Sequence, residues 1–265
     1  FEFEGEEYGK DFREIFIPGD GMVFIEGDLS QAEARVVDLL ATNFEGLEEY
    51  GKLDKHKRSA SVCFGIPMEQ ITKRQRHVGK TAKHAYNLDE GAFALGTRLH
   101  IPVSQAQGFI NAFSKFDPKI RLVFHEEVRK ALNTTRRLEN PFGRVRDFFG
   151  RTSSKLYKEG YATIPQGTIS DHVKFDIFGP LDRLFTTRGV NFLCEWHDSL
   201  LAEVPRNMKD EYVENFERVG KTPIRFETGT FIRPNYPLVI PLEWGESEIN
   251  WLDIESDKKK EKVKT

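Results

Sequence analysis

The sequence lacks the features that are typical of disulfide-rich, secreted and membrane proteins. Of its 265 residues only 2 are cysteines, Cys63 and Cys194, which are too few for a disulfide framework and lack the spacing of metal ligands. No apolar run approaches the roughly 20 residues that span a bilayer, and the first residues do not form a cleavable signal. We therefore expect a cytoplasmic protein that makes no contact with a membrane.

An excess of charge of one sign is also lacking. The 39 Lys and Arg residues are balanced by 42 Asp and Glu residues, which gives a net charge of -3. Any nucleic-acid surface must therefore be local. There are no internal repeats, and the one biased segment is the lysine-rich end, where we predict a disordered tail over residues 254–265. With 38% hydrophobic residues, the chain can form one large domain or two joined subdomains.

Two aspartates stand at the ends of predicted strands. Residues 22–28 form a short apolar strand that ends at Asp28, and a helix is predicted over about 31–43. Further along, strands at 190–195 and 200–204 flank a tight turn that carries Asp198. If these strands pair, both carboxylates can meet at one edge of a sheet, and two such oxygen ligands suit Mg²⁺. The alternative for each aspartate taken alone is that it caps a helix or forms a turn and binds no metal.

The middle of the chain is predicted to be helical. Residues 54–135 are almost wholly helical in pattern, and two short basic strands flank a turn at residues 140–143. Two separate helices are predicted over about 152–160 and 167–186. Strands at both ends that enclose a helical middle indicate an α+β architecture.

A cationic stripe follows one face of a predicted helix. Arg76, Lys80 and His84 recur every four residues, with Leu88 next in register. Such a stripe could hold a triphosphate, because arginine binds phosphate bidentately and lysine acts as a compact charge. The alternative is a solvated basic face. His56 is either a further phosphate donor or an ordinary exposed histidine.

Taken in order, these segments resemble the motifs of family A DNA polymerases. The segment DLSQAEAR at 28–35 resembles motif A, RHVGKTAKHAYN at 76–87 resembles motif B in the form found in phage members, and WHDSL at 196–200 resembles motif C. The family's D-x-H, G-R and terminal E-W-G and N-W patterns also appear in order, at 54–56, 143–144, 243–245 and 250–251, and the segment PQGT at 165–168 resembles its P-x-Q-G-T. The likeness covers roughly residues 10–251.

The resemblance implies a right-hand fold. The palm, with an antiparallel sheet, would comprise residues 1–50 and 136–253, and helical fingers would be inserted over 51–135. No thumb is expected within the chain. An upstream thumb and exonuclease portion of the same polymerase is an expected partner.

The resemblance also implies a function and roles for single residues. The expected function is that of a template-directed DNA polymerase fragment, which adds deoxynucleotides to a primer 3′ end with two Mg²⁺ ions. Primer–template DNA and dNTPs are the expected partners. The resemblance implies that Asp28 and Asp198 bind the metal ions and that Asp28, Asp198 and Lys80 are catalytic. It implies that Glu33 is the steric gate against ribose and that the nucleotide is contacted by Gln31, Glu33, His56, Arg76, Lys80, His84 and Leu88. The implied DNA contacts are Arg144, Gln166 and His197.

The chain departs from the family pattern in three places. Leu88-Asp89 stands where Tyr-Gly is usual, Ser199 replaces the Glu of motif C, and Leu29 replaces the Tyr of motif A. Because both motif aspartates remain, we expect the metal pair to be intact and Leu88-Asp89 to alter fidelity or rate. Two alternatives stay open: a non-catalytic nucleic-acid-binding remnant, and a metal-dependent nuclease.

Overall fold

The computed structural model describes residues 12–254, together with the backbone of two short strands before them. The predicted tail lies outside the described residues from position 255 onward. The strands are β1 Glu2–Phe3, β2 Glu6–Glu7, β3 Met22–Leu29, β4 Arg137–Glu139, β5 Val145–Asp147, β6 Asn191–Trp196, β7 Ser199–Pro205, β8 Ile224–Phe226, β9 Arg233–Leu238 and β10 Leu242–Ser247. The main helices are α1 Ala32–Leu40, α2 Phe44–Glu48, α3 Lys55–Phe64, α4 Lys73–Asn87, α5 Ala92–Leu99, α6 Val103–Phe116, α7 Glu126–Thr134, α8 Ser154–His172, α9 Gly179–Phe185 and α10 Lys209–Gly220.

The chain divides into two compact units. The sheet unit contains Phe1–Ala32, Ile169–Ile224 and Val239–Thr265, and the helical unit contains Glu33–Thr168 and Arg225–Leu238. Mixed helix and antiparallel sheet confirm the predicted α+β class. The boundaries predicted for palm and fingers stay predictions.

A four-stranded antiparallel sheet organises the sheet unit. Its strand order is β10-β3-β7-β6, so β3 is an inner strand with neighbours on both sides. This position explains why Val23, Phe24 and Ile25 are all buried, since an inner strand covered on both faces needs apolar side chains throughout. The predicted strands at 22–28, 190–195 and 200–204 are confirmed to within two residues.

The helical unit confirms the helical pattern predicted for residues 54–135. Helix α4 begins at a capping box, in which the Thr72 hydroxyl accepts from the N–H of Gln75 and the Gln75 side chain accepts from the N–H of Thr72. A π-helical segment, Ile120–His125, leads into α7. The two short strands predicted around residues 140–143 are β4 and β5, which pair antiparallel. Among the described helices, none combines the length and apolar character needed to cross a membrane.

The prediction of two helices at 152–160 and 167–186 was wrong. A single helix, α8, runs from Ser154 to His172 with Pro165 inside it, and a π-helical segment, Val173–Phe178, continues it into α9. Proline removes one helical hydrogen bond, but helix interiors tolerate it when packing is strong enough. Here Tyr161 and Ile164 are fully buried beside Pro165, and this burial keeps the helix continuous.

Helices α3 and α4 approach each other closely at a glycine. A Cβ on Gly79 of α4 would lie 2.4 Å from the backbone nitrogen of Ala60 in α3. No methyl group fits at that distance, so the two backbones must separate if position 79 carries a side chain.

We expect Gly79→Ala to lower the free energy of unfolding by about 1–3 kcal/mol, because it overpacks the contact between α3 and α4. The matched control is Gly108→Ala in α6, where a Cβ meets nothing within 4 Å. The control should raise stability by about 0.5–1 kcal/mol, since alanine favours the helix. Urea unfolding followed by circular dichroism measures both. A stabilising effect of Gly79→Ala would contradict the close approach.

Candidate active site

The two motif aspartates lie side by side at one end of the sheet. In the pairing of β3 with β7, Asp28 is directly opposite Ser199. One step further, the N–H of Leu29 donates a 2.9 Å hydrogen bond to the carbonyl oxygen of Asp198. Opposed residues of an antiparallel pair have Cα atoms about 4.5–5.5 Å apart. The structure therefore brings together two acids that are far apart in the sequence, and both are half-buried.

Asp198 sits in a two-residue turn. The turn joins β6 to β7 between Trp196 and Ser199, and its first residue, His197, is exposed with a φ of 56°. The hydroxyl of Ser199 donates a 3.1 Å hydrogen bond to the carbonyl oxygen of Trp196. The serine that replaces the usual motif C glutamate thus closes the turn that presents Asp198.

A third acid shares this row of the sheet. Glu243 of β10 is directly opposite Asp28 on the side away from β7. Residues opposed in this way project from the same face of the sheet. Glu243 was not predicted as a site residue, because nothing in the sequence reveals the register between β10 and β3.

The aspartate pair fits a magnesium site. Within the described part of the chain, no group of three or more His, Cys, Asp or Glu side chains is arranged to hold a metal by itself. Mg²⁺ does not need such a group, since it is commonly bound by one or two carboxylates plus water and substrate phosphate. The residues present, Asp28 and Asp198, supply that kind of donor set.

The cationic stripe lies on α4 in the helical unit. Lys80 and His84 are exposed, and Arg76 is half-buried. The Nε of Arg76 donates a 2.8 Å hydrogen bond to Oδ2 of Asp54. Asp54 in turn caps α3, by accepting from the backbone N–H groups of His56 and Lys57 at 3.0 Å each. The Asp54 side chain therefore links the start of α3 to Arg76. The D-x-H pattern at 54–56 marks this residue in the sequence but does not reveal the pairing.

Charge and burial set the protonation of this cluster. Although burial favours the neutral form of Asp54, the hydrogen bonds from Arg76 and from the backbone lower its pKa. Burial first, and then the charges of Arg76 and Lys80, lower the pKa of His56 to about 4. His56, Arg76 and Lys80 therefore share one surface, where the His56 imidazole is neutral at pH 7.

Glu33, the steric-gate candidate, lies near His84, which is also a candidate nucleotide contact. Oε2 of Glu33, at the start of α1, is 3.9 Å from Nδ1 of His84 on α4, and both side chains are partly exposed. Gln31 precedes α1 with a φ of 53°, which explains why this helix begins at Ala32 rather than at the predicted residue 31. Leu88 is half-buried at the C-terminal end of α4.

The DNA-contact candidates divide between the two units. Arg144 and Gln166 belong to the helical unit, where both are exposed, and a Cβ on Gly167 would lie 3.8 Å from Cδ of Arg144. Arg144 therefore lies near the residue that follows Gln166 in the chain. His197 belongs to the sheet unit, together with Asp28, Gln31 and Asp198.

Comparison with known proteins agrees with the motifs. The chain is 30% identical over 246 residues to the thermostable DNA polymerase I of Thermus aquaticus, covering 89% of the chain and 27% of the relative. It is 27% identical over 237 residues to the DNA polymerase I of Deinococcus radiodurans, covering 84% of the chain and 25% of the relative. The chain thus spans about a quarter of the length of these relatives.

A solved structure shares the fold. The POL domain of Pol1 from M. smegmatis, solved in complex with DNA primer-template and dNTP, superposes with a TM-score of 0.79 at 19% identity. The match covers 96% of this chain and 44% of that one. The sequence model described as DNA polymerase family A matches residues 4–248. The chain therefore belongs to DNA polymerase family A.

Proposed function

We propose that this chain carries out nucleotidyl transfer in a template-directed DNA polymerase, which adds deoxynucleotides to a primer 3′ end. Family membership supports the reaction class. The observation that carries the proposal is the pairing of β3 with the β6–β7 turn, which sets Asp28 beside Asp198. A primer-extension assay with Mg²⁺ tests it, using the 265-residue chain and any longer polypeptide that contains it.

Asp28 and Asp198 would hold the two Mg²⁺ ions. Family A DNA polymerases generally use divalent metal ions, and the aspartate pair offers suitable oxygen ligands. When bound, such ions activate the primer 3′-hydroxyl and neutralise charge on the leaving pyrophosphate. The protein contributes the sheet ladder, which sets Asp28 beside the turn that carries Asp198.

The exposed face of α4 would bind the triphosphate. The Nε of Arg76 is occupied by Asp54, which orients the guanidinium and leaves its other N–H groups for a phosphate. Lys80 adds a compact charge, and neutral His56 adds an uncharged N–H donor. Because these groups are positioned before the substrate arrives, they stabilise developing charge with little reorganisation.

The sugar and base would meet the remaining candidates. Glu33, within 3.9 Å of His84, would exclude a ribose 2′-hydroxyl, while His84 would pack against the sugar and base. Gln31 would assist at the nucleotide, and Leu88 would lie near the templating base. The 3.9 Å distance between Glu33 and His84 supports the assignment of these two residues.

Primer–template DNA is the proposed macromolecular partner. Arg144, Gln166 and His197 would contact it, and the similar POL domain was solved with primer-template and dNTP. The greater length of the relatives supports a thumb and exonuclease portion as a further partner. We place the protein in the cytoplasm of a bacterial or phage-infected cell. The bacterial relatives support this location, and the phage form of motif B stays a prediction.

The alternative function is a non-catalytic, nucleic-acid-binding remnant of a polymerase. The observation that favours it is Ser199, which supplies a hydroxyl to the turn where the family usually has a carboxylate. The assay distinguishes the two functions. Binding of primer–template by the longer polypeptide without any extension would establish the remnant, and extension would exclude it.

We expect Asp28→Asn or Asp198→Asn to reduce nucleotide incorporation by about a thousandfold or more, because each removes a charged metal ligand. Binding of primer–template, measured by fluorescence anisotropy, should be nearly unchanged. The control is Asp210→Asn on exposed α10 surface, which should extend primers normally. Normal turnover in either site variant would refute the metal assignment.

We expect Lys80→Ala to raise the KM for dNTP by about tenfold, since it removes a phosphate-binding charge from α4. Arg74→Ala is the matched control, because Arg74 is an exposed cation on the same helix outside the stripe. Steady-state extension at varied dNTP concentration measures both. An equal response of the two variants would mean that only net charge matters.

We expect the His56 ring to titrate with a midpoint at about pH 4, below its ordinary value of 6.5. NMR of the ring protons, assigned with His56→Gln, measures this midpoint. Because the folded pKa is depressed, His56 contributes stability that is complete above pH 6.5 and is lost as the pH falls from 6.5 to 4.

A pair of arginine variants tests the cause of this shift. Arg76→Gln should raise the midpoint of His56, because it removes a neighbouring positive charge, while Arg74→Gln should leave it unchanged. A His56 midpoint of 6.5 in the unaltered protein would contradict the burial and charge described for this cluster.

A further inference from the structure

The end of helix α4 has a backbone geometry that usually requires glycine. The N–H of Glu90 donates to the carbonyl of Ala85 at 2.8 Å, and the N–H of Asp89 donates to the carbonyl of Tyr86 at 3.2 Å. These two bonds form a Schellman motif, whose central residue takes a positive φ. That residue is Asp89, with a φ of 54°. A Cβ is strained in this region, and family A members usually have glycine here.

Asp89 also has an unfavourable charge for its position. The C-terminal end of a helix carries partial negative charge from its free carbonyl groups, so an acidic side chain there is repelled. Asp89 thus breaks two local preferences, one of backbone conformation and one of charge. Local conflicts of this kind are expected at functional sites, where another interaction offsets them.

Two arginines offset both conflicts. Nη2 of Arg121 donates a 3.2 Å hydrogen bond to Oδ1 of Asp89, and Nη2 of Arg129 lies 3.7 Å from Oδ2. The three side chains are only 27–38% exposed, so solvent screens their charges incompletely. We refer to Asp89, Arg121 and Arg129 as the carboxylate clamp.

Each arginine is itself fixed by a second contact. Arg121 donates to the Ser114 hydroxyl at 3.2 Å, and its guanidinium lies 5.0 Å from the ring centre of Tyr86. Arg129 donates through Nε to the hydroxyl of Tyr161 at 2.8 Å. The clamp therefore joins the end of α4 to α6, α7 and α8 through side chains that have little freedom to move.

A neighbouring bond holds the last turn of α4 at a second point. Nε2 of His125 is 2.8 Å from the carbonyl oxygen of Asn87, and the buried His125 ring stacks on Tyr161 at 3.9 Å. Burial lowers the pKa of His125 to about 4, so its neutral ring donates through Nε2. Together with the clamp, this bond fixes the geometry of the residues that end the helix.

We propose that Asp89 is a positioning residue for the incoming nucleotide. By binding Arg121 and Arg129, it fixes the last turn of α4, and with it His84 and Leu88, which the proposed function places against the nucleotide. This inference rests on the proposed function of α4. It assigns the aspartate that departs from the family pattern a role in nucleotide selection, with no direct contact to substrate.

The variant that isolates the charge is Asp89→Asn, because asparagine tolerates a positive φ and keeps the shape of the side chain. We expect it to accelerate amide hydrogen exchange at residues 85–90 and to raise the KM for dNTP about three- to tenfold, with kcat nearly unchanged. Glu90→Gln is the control, since its carboxylate pairs with Arg98 and lies outside the clamp. It should leave the KM unaltered.

A double-substitution test identifies the partners. When Arg121→Gln and Arg129→Gln are both present, adding Asp89→Asn should cause no further rise in KM, because the interaction is already lost. Additive effects would overturn the clamp. Unchanged hydrogen exchange in Asp89→Asn would do the same. Faster exchange with an unaltered KM would show a purely structural contact and overturn the positioning role.

A binding measurement separates this inference from the function on which it rests. Affinity for dNTP is measured on a complex with a dideoxy-terminated primer–template, where no chemistry occurs. If the unaltered protein binds no dNTP, the proposed function fails, and the inference fails with it. If the unaltered protein binds dNTP and Asp89→Asn binds it equally well, the inference alone is wrong.

Discussion

The catalytic proposal depends on one long-range backbone ladder, the antiparallel pairing of β3 with β7. Its last bond joins the N–H of Leu29 to the carbonyl of Asp198, so the ladder itself fixes the level at which the two aspartates meet. A shift of one residue in this register would turn Asp28 to the other face of the sheet. Packing at Gly27 opposes that shift, because the shift would put a side chain at the place of Gly27, where a Cβ would lie only 2.5 Å from Cζ of Phe216. Core packing therefore helps to fix the position of Asp28 beside the turn that carries Asp198.

In the helical unit, the cations of α4 differ in whether they pair with a carboxylate and in how exposed they are. Lys83 pairs with Asp117 where both side chains are 13% exposed, so its charge serves the packing of the helix. Arg76 is held by Asp54 yet remains half-exposed, whereas Lys80 faces solvent. Pairing with Asp117 therefore sets Lys83 apart from the more exposed cations of the stripe, Arg76 and Lys80.

The features that depend on local sequence pattern and on motif spacing could be predicted from the sequence. The strand that ends at Asp28, the helical middle and the cationic stripe all follow from periodicity within one element. Glu243 could not be predicted as a neighbour of Asp28, since strand register is set by distant packing. Asp54 and Asp89 were missed as ion-pair partners because their arginines lie on other helical segments, whose packing the sequence does not reveal. Pro165 misled the helix prediction, because the burial of adjacent side chains outweighed the local preference of proline.

The departures from the family pattern bear on whether the chain is a working enzyme or a remnant. Random drift leaves a substituted residue without compensation, so strain or an unpaired charge should remain at its site. Ser199 instead closes the turn that presents Asp198, and Asp89 is bound by two arginines that are themselves held in place. Both substitutions are thus accommodated by specific contacts around an aspartate pair and a cationic stripe that are retained. Such accommodation is expected of a site under functional constraint, and it favours the polymerase over the remnant.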